Sequence, residues 1–479
     1  MPVKGLEGKA LAELETALVG AVFVPGRPGY DAARRIYNGM IDRSPAAIAR
    51  CADTTDVVTA IRFARKHGME VSVRSGGHGV AGSAIGDGVL TIDLSAMKHM
   101  DIDPVARVAR VEAGVLWGEL DAASQKHGLA VTGGRVASTG VAGLTLGSGS
   151  GWLERTIGFT CDNLLSAEVV TADARIVFAS GAENPDLFWG IRGGGGNFGI
   201  VTKFEFRLHP VGPTLLAGSV LYPFSAAREV LSAYRDFMAT APDQVGGACS
   251  FVTAGEDPAL PEAARGKTVV AVVGAYFGPV SKGEKVLAPL RRLATPVADR
   301  LAPMAYTALQ RMNDGGNPPG MNNYYKADFL REMSDAAIDV IVDQASRITS
   351  PRTALILQPL GGALARIPPD ATPLGRRDAA FAYHALSCWN DADHERHIRW
   401  TKGLSAALQP FATTGVYLTY IGEEGEQRVK EAYGAEKYAR LVALKDRYDP
   451  TNLFNRNQNI RPSSPVENSD EGLRLARQA

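Results

Sequence analysis

The chain has 479 residues, 45% of them apolar and 21% charged, with Lys plus Arg matched by Asp plus Glu at 51 each. That length predicts two or three folding units, and the charge balance excludes a long-range field that would gather nucleic acid or an anionic membrane surface. No run approaches the roughly 20 apolar residues needed to span a bilayer.

The first residues, MPVKGLEGKALAELETAL, read as an amphipathic helix and lack the apolar core and cleavage site of a secretory leader. Cys51, Cys161, Cys249 and Cys388 lie far apart. Neither disulfides nor a zinc site are expected from that spacing, and a cytoplasmic location is.

Next, Thr54 or Thr55 caps a predicted helix with Val57, Ile61 and Ala64 on one face and Gly68 after its basic end. Val71–Val73, Val89–Leu94 and Val108–Val111 follow as strands. Val115–Lys126 is a helix closed by Gly128, and Lys203–Leu208 is a strand leading into the stiff turn Pro210–Pro213. Beyond that turn, helices are predicted over Ala226–Ala239, Ser334–Arg347 and Asp393–Leu408, with a strand-like stretch at Thr353–Leu360. The pattern gives an α+β class, with one domain over residues 1–213 (core from about 43), a second over 214–430, and a tail over 431–479 that returns to the first.

Glycine is concentrated in three loops of the first domain: VSVRSGGHGVAG (71–82), GGRVASTGVAGLTLGSGSG (133–151) and RGGGGNFGIVT (192–202). Glycine at this density lets the backbone approach a ligand and aim several N–H groups at it, and a pyrophosphate suits such a nest. None of the three has the strand, G-x-G-x-x-G, helix and acidic residue of a Rossmann unit. The dinucleotide is therefore expected on another fold.

RSGGH at Arg74–His78, TGVAGLTLGSGSGWL at Thr139–Leu153, DNL at Asp162–Leu164 and RGGGGNFGIVT at Arg192–Thr202 resemble the FAD-binding domain of the vanillyl-alcohol-oxidase family. YDPTNLFNRNQNI at Tyr448–Ile460 resembles the C-terminal segment of its berberine-bridge-enzyme-like branch. The resemblance implies a PCMH-type FAD-binding domain of two small α/β subdomains, and a substrate domain with an antiparallel sheet backed by helices. It implies FAD bonded through its 8α-methyl to His78. The cofactor-binding residues it implies are Arg74, Ser75, Gly76, Gly77, Gly79, Thr139, Gly140, Val141, Gly143, Gly147, Gly149, Gly199, Ile200, Val201 and Asn457, with Asn452 and Gln458 nearby. Many relatives carry a second link from a cysteine where this chain has Val136, and Cys161 lies too far downstream to replace it. A single link is expected. Val141, beside the flavin by the same alignment, favours an oxidase.

The family draws its proton acceptor from strands of the substrate domain, here Asn322–Leu330, Arg377–Trp389 and Gly415–Gly422. Alternation places Tyr383 and His384 on opposite faces, so only one can point at the flavin. Tyr383 is preferred, with His384 its rival; Tyr325, Lys326, Tyr417 and Tyr420 are further candidates. The implied activity is hydride transfer from a CH–OH or CH–NH group of a small, aromatic or cyclic molecule to FAD, with O2 yielding hydrogen peroxide. The alternatives are a dehydrogenase using another acceptor and a flavin-binding protein without catalysis. No heptad run speaks to oligomeric state.

Overall fold

The computed structural model describes residues 6–256, 258, 260–374, 377–413, 422, 425–464 and 466. The first layer is a four-stranded sheet in which Ala47–Arg50 and Val71–Arg74 flank Leu90–Asp93 in parallel, with Ala21–Phe23 antiparallel at the edge. Parallel strands need a crossover, and the helix Thr54–Lys66 supplies the one from Ala47–Arg50 to Val71–Arg74, on either side of Leu90–Asp93. Its cap is Asp53 rather than either threonine: the Asp53 carboxylate accepts from the N–H groups of Thr55 and Asp56. A carboxylate at this position also meets the positive end of the helix dipole.

The second layer is a five-stranded antiparallel sheet, ordered Met100–Asp103, Val108–Glu112, Ile200–Arg207, Leu164–Val170, Ile176–Ser180. The helix Thr54–Lys66 touches both layers, so one apolar core joins them.

A larger antiparallel sheet follows, running Ala298–Asp299, Thr214–Pro223, Thr268–Tyr276, Val245–Thr253, Ala354–Pro359, Phe381–Trp389, Asn322–Leu330, with Ala302–Ala305 paired beside Thr214–Pro223. The helices Ala227–Thr240, Asp335–Ala345 and His394–Leu408 cover one face through Val230, Leu231, Ile338, Ile341, Trp400 and Leu404. Side chains of the other face point toward the first unit. This two-sided burial explains why strands such as Phe381–Trp389 are buried along nearly their whole length.

The helix Ala435–Tyr448 carries Leu441, Leu444 and Tyr448 back into the core of the first unit. Lys445 and Asp449 form a fully buried ion pair at 2.6 Å, and Lys445 Nζ also donates to the carbonyls of Asn197 and Phe454, both at 3.0 Å. That pair clamps the tail onto the third glycine loop. Among the described residues no helix is long and apolar enough to cross a membrane. All four cysteines are free and buried.

Candidate active site

A cavity of about 1120 Å³ lies between the glycine loops and the open face of the large sheet. The strand Val71–Arg74 runs directly into the first loop, where Gly77 has φ +65°, a conformation that costs other residues energy. The first and second loops then pack backbone to backbone. A Cβ on Gly76 would sit 2.4 Å from Gly140 N, and one on Gly140 would sit 2.5 Å from Gly76 N. By contrast, a Cβ on Gly79, Gly143 or Gly196 would meet nothing within 4 Å; all three line the cavity. The loops are thus fixed to each other, and their glycines leave room on the cavity side for an extended guest.

Of the cofactor residues implied by the resemblance, Ser75, Gly76, Gly77, His78, Gly79, Thr139, Gly140, Gly143, Gly147, Gly199, Ile200, Val201 and Asn457 line this one cavity. Three do not. Arg74 donates to the Ala33 carbonyl beneath the loop. Gly149, at φ +80°, packs on Thr160. Val141 is fully buried in the apolar core as the first residue of the helix Val141–Leu146, its N–H donating to the Val115 carbonyl at 2.9 Å. The expected place of Val141 beside the flavin is therefore corrected: it packs the core.

His78 stacks on Tyr37, with ring centroids 4.2 Å apart, and its Nε2 lies 2.8 Å from Ser138 Oγ. Burial lowers the pKa of its imidazole to about 4, so the ring is neutral near pH 7. The Tyr37 hydroxyl reaches Asn317 Oδ1 at 3.3 Å and the Tyr325 hydroxyl at 3.4 Å. Val136 lines the cavity where the family's cysteine is expected. Cys161 does not line it; its thiol is held well above the ordinary range by burial, beside Asp162. Asp162 of the DNL stretch serves the fold, pairing with buried Arg377 through two bonds of 2.7 and 2.9 Å.

The large sheet decides between the proton-acceptor candidates by phase. His384, Leu386 and Cys388 line the cavity. Tyr383 faces the covering helices, where its hydroxyl donates to Ser405 Oγ at 3.1 Å, so the preference for Tyr383 is corrected to His384. In the neighbouring strand, Tyr325 pairs with Leu386 and lines the cavity, while Lys326 pairs with Ala385 and shares the face of Tyr383. Lys326 is corrected in the same way. Tyr417 and Tyr420 lie outside the described residues.

His384 is 2% exposed, and its Nε2 lies 3.1 Å from Gln358 Oε1. Burial, reinforced by the positive charge of Arg135, lowers its pKa to about 3. Glu154 lies behind Gln358; burial raises its carboxyl pKa, opposed by Arg135, Ser150, Gln358 and the Gly151 N–H. Around His384 the wall is mainly apolar, made by Leu221, Ala248, Val252, Val273, Ile356 and Leu386 with the hydroxyls of Ser219 and Ser250 among them, and Arg352 and Glu256 are exposed at its margin. In the tail, the Asn457 amide donates to the Gly196 carbonyl at 3.2 Å and Gln458 lines the cavity, whereas Asn452, at φ +52°, turns the chain. Tyr37, Ser138, Arg135, Glu154 and Gln358 were not anticipated. Gln358 carried a signal: an amide inside the apolar run Ala354–Leu360 must be buried and needs a partner.

Glycine loops with room for a dinucleotide, opposed to a sheet face bearing a buried histidine, suit an enzyme that holds a nucleotide cofactor against a substrate pocket, and its relatives identify it as an FAD-dependent oxidoreductase. The FAD binding domain family matches residues 45–180, and the berberine and berberine-like family matches residues 414–461. The chain is 32% identical to (R)-6-hydroxynicotine oxidase of Paenarthrobacter nicotinovorans over 463 residues, covering 93% of this chain and 97% of that one. The crystal structure of 6-hydroxy-D-nicotine oxidase from Arthrobacter nicotinovorans superposes with a TM-score of 0.84 at 32% identity, over 93% of this chain and 98% of that chain. A berberine bridge enzyme variant described as a reticuline dehydrogenase superposes with a TM-score of 0.84 at 21% identity, over 96% and 100% of the two chains, and so shares the fold. The chain belongs to the berberine-bridge-enzyme-like family of FAD-linked oxidoreductases.

Proposed function

We propose that this chain is an oxidase of small alcohols or amines, with FAD attached through a single bond to His78 and His384 receiving the proton of the substrate's hydroxyl or amine. The observation that carries the reading is that His78, in its glycine cradle, and His384, on the facing sheet, line the same cavity. When bound, FAD supplies the two-electron acceptor for hydride and passes the pair to O2 to give hydrogen peroxide.

The protein's own groups supply the rest. A neutral His78 presents a nucleophilic ring nitrogen, and the stack on Tyr37 fixes the plane of that ring. Val136 at the expected cysteine position supports one link rather than two. Neutral His384 accepts a hydrogen bond from a substrate hydroxyl and holds the carbinol carbon on the cavity side of the sheet. The apolar wall desolvates the substrate and favours a cyclic or aromatic body. Glu256, at the exposed margin, is the one carboxylate lining the cavity among the described residues.

The test is an acid-denatured gel of wild type and His78→Ala, read for flavin fluorescence, followed by peroxide measurement over a panel of alcohols and amines. Fluorescence on wild type alone, with one peroxide per alcohol or amine oxidised, is the expected result. Flavin released from wild type by acid sinks the covalent link, and turnover only with an artificial acceptor makes the chain a dehydrogenase.

A further inference from the structure

Residues 37–39 run without helix or strand between the His78 loop and the large sheet, and hydrogen bonds hold them to both. On the loop side they grip His78 from before and after. The Tyr37 N–H donates to the Gly77 carbonyl at 3.1 Å, the Tyr37 ring stacks on the His78 ring, and Asn38 Nδ2 donates to the Val80 carbonyl at 2.8 Å. On the sheet side the Gly320 N–H donates to the Tyr37 carbonyl at 2.9 Å, and the Gly39 N–H donates to the Met321 carbonyl at 2.7 Å. Asn38 continues this ladder with its side chain: Nδ2 donates to the Asn323 carbonyl at 3.0 Å, and Oδ1 accepts from the Asn323 N–H at 3.0 Å. Asn323 belongs to the strand Asn322–Leu330, whose Tyr325 hydroxyl lies 3.4 Å from that of Tyr37.

Asn38 is 2% exposed, and the Met40 N–H adds a further bond to its Oδ1 at 3.1 Å. The amide thus makes two donations and two acceptances, all that its atoms allow, and every partner is a backbone group. Two of the bonds reach Asn323 and one reaches Val80, two residues past His78, so a single side chain carries the position of the sheet to the loop. Gly39 serves the same junction: a Cβ there would lie 2.2 Å from the Gly320 carbonyl oxygen, so only glycine lets the two segments meet. Neither Asn38 nor Gly39 lines the cavity, so loosening this junction leaves the cavity lining itself unaltered.

We propose that Asn38 is a positioning residue for cofactor attachment: it braces the His78 loop against the large sheet, so that His78 reaches its bonding geometry only when the sheet is docked. The inference rests on the covalent reading of His78 given above. In the step it serves, a ring nitrogen of His78 bonds to the 8α carbon of FAD, one C–H bond of that carbon breaks, and the imidazole gives up its N–H. Two protons leave, and the two electrons released are held by the bound ring until O2 takes them, with two protons, as hydrogen peroxide. Such a bond forms from a near-attack placement, and a misplacement of about 1 Å costs on the order of 10²-fold in rate.

The test separates attachment from binding. The full-length chain, purified from a riboflavin-starved host, is mixed with FAD in air, and covalent flavin is followed on acid-denatured gels at several FAD concentrations. Asn38→Leu keeps the branched shape and removes all four bonds. Gly39→Ala instead pushes the segment off Gly320, and it serves as the second variant should Asn38→Leu not fold. The expected result in either is attachment roughly 10²-fold slower at saturating FAD, with the FAD concentration for half-maximal rate within threefold of wild type. Amide hydrogen exchange across residues 75–82, read by mass spectrometry, rises in the same variants. Wild-type attachment at saturating FAD in both variants, or a loss made good by more FAD, overturns the brace. Acid release of flavin from wild type sinks the covalent reading and with it the attachment role; the brace is then judged by exchange, and unchanged exchange across residues 75–82 overturns it.

Discussion

Asp121 illustrates how far burial alone shifts a residue's chemistry. It lies on the helix Trp117–Ser124 and accepts from Gln310 Nε2 at 2.9 Å, and burial raises its carboxyl pKa to about 7. The folded chain therefore binds a proton there up to about pH 7, while the unfolded chain releases it near pH 3.9. Between those values the native state holds more protons than the unfolded one, so stability falls as pH rises. Asp121→Asn, which retains an acceptor for Gln310, is expected to raise Tm at pH 8 by several degrees and to lose that advantage below pH 4. Thermal melts across pH check it, and an equal gain at pH 4 contradicts it. The opposite sign holds for His384, whose lowered pKa of about 3 makes the folded state lose stability as pH falls below the ordinary imidazole value.

At the scale of elements, the tail is held by charge as well as by apolar contact. Lys445→Met leaves Asp449 buried, accepting only from backbone and Thr451 groups such as the Leu453 N–H at 2.8 Å and the Phe454 N–H at 2.9 Å. Breaking a buried pair by removing one partner costs about 3–5 kcal/mol. The expected outcome is a lower midpoint in urea together with faster exchange of the Asn197 loop amides; unchanged exchange would mean the clamp is idle.

Element placement was largely legible in the sequence. The helix expected over Ser334–Arg347 forms as Asp335–Ala345 with Ser334 capping it, and the strand expected over Asn322–Leu330 forms with those bounds. Phase was not. Period-two alternation separated Tyr383 from His384, but both faces of their strand are buried, so hydropathy carried no mark of which face meets the cavity. The same holds for Val141: a small apolar residue beside glycines reads alike in a core and at a flavin.

For the whole molecule, Arg155 is one of the side chains that tie the glycine-loop unit to the large sheet. Arg155, 6% exposed on the helix Glu154–Ile157, donates to the Val245 carbonyl at 3.1 Å, the Ala241 carbonyl at 3.0 Å and the Leu360 carbonyl. Hydrogen bonds to a charged donor contribute about 1.5–3 kcal/mol each, partly offset by the desolvation of the guanidinium. Arg155→Met is expected to split thermal unfolding into two calorimetric transitions, only one of which flavin emission follows; a single coincident transition would show that the remaining bonds suffice to join the units. Nothing in the sequence pointed to this tie. An arginine beside a glycine-rich loop reads first as a phosphate ligand, and only the fold reveals that its partners are carbonyls.

The clamp at Lys445 and Asp449 also bears on how the protein is made. The walls of the cavity come from Tyr37 near the start of the chain and from Phe454, Arg456, Asn457 and Gln458 near its end, and Asn197 of the third glycine loop holds the latter by donating to the Gln458 carbonyl at 3.2 Å and accepting from the Ile460 N–H at 2.9 Å. The segment that closes over the three glycine loops and His78 is thus translated after all of them, and the cavity gains this wall only once that segment has docked.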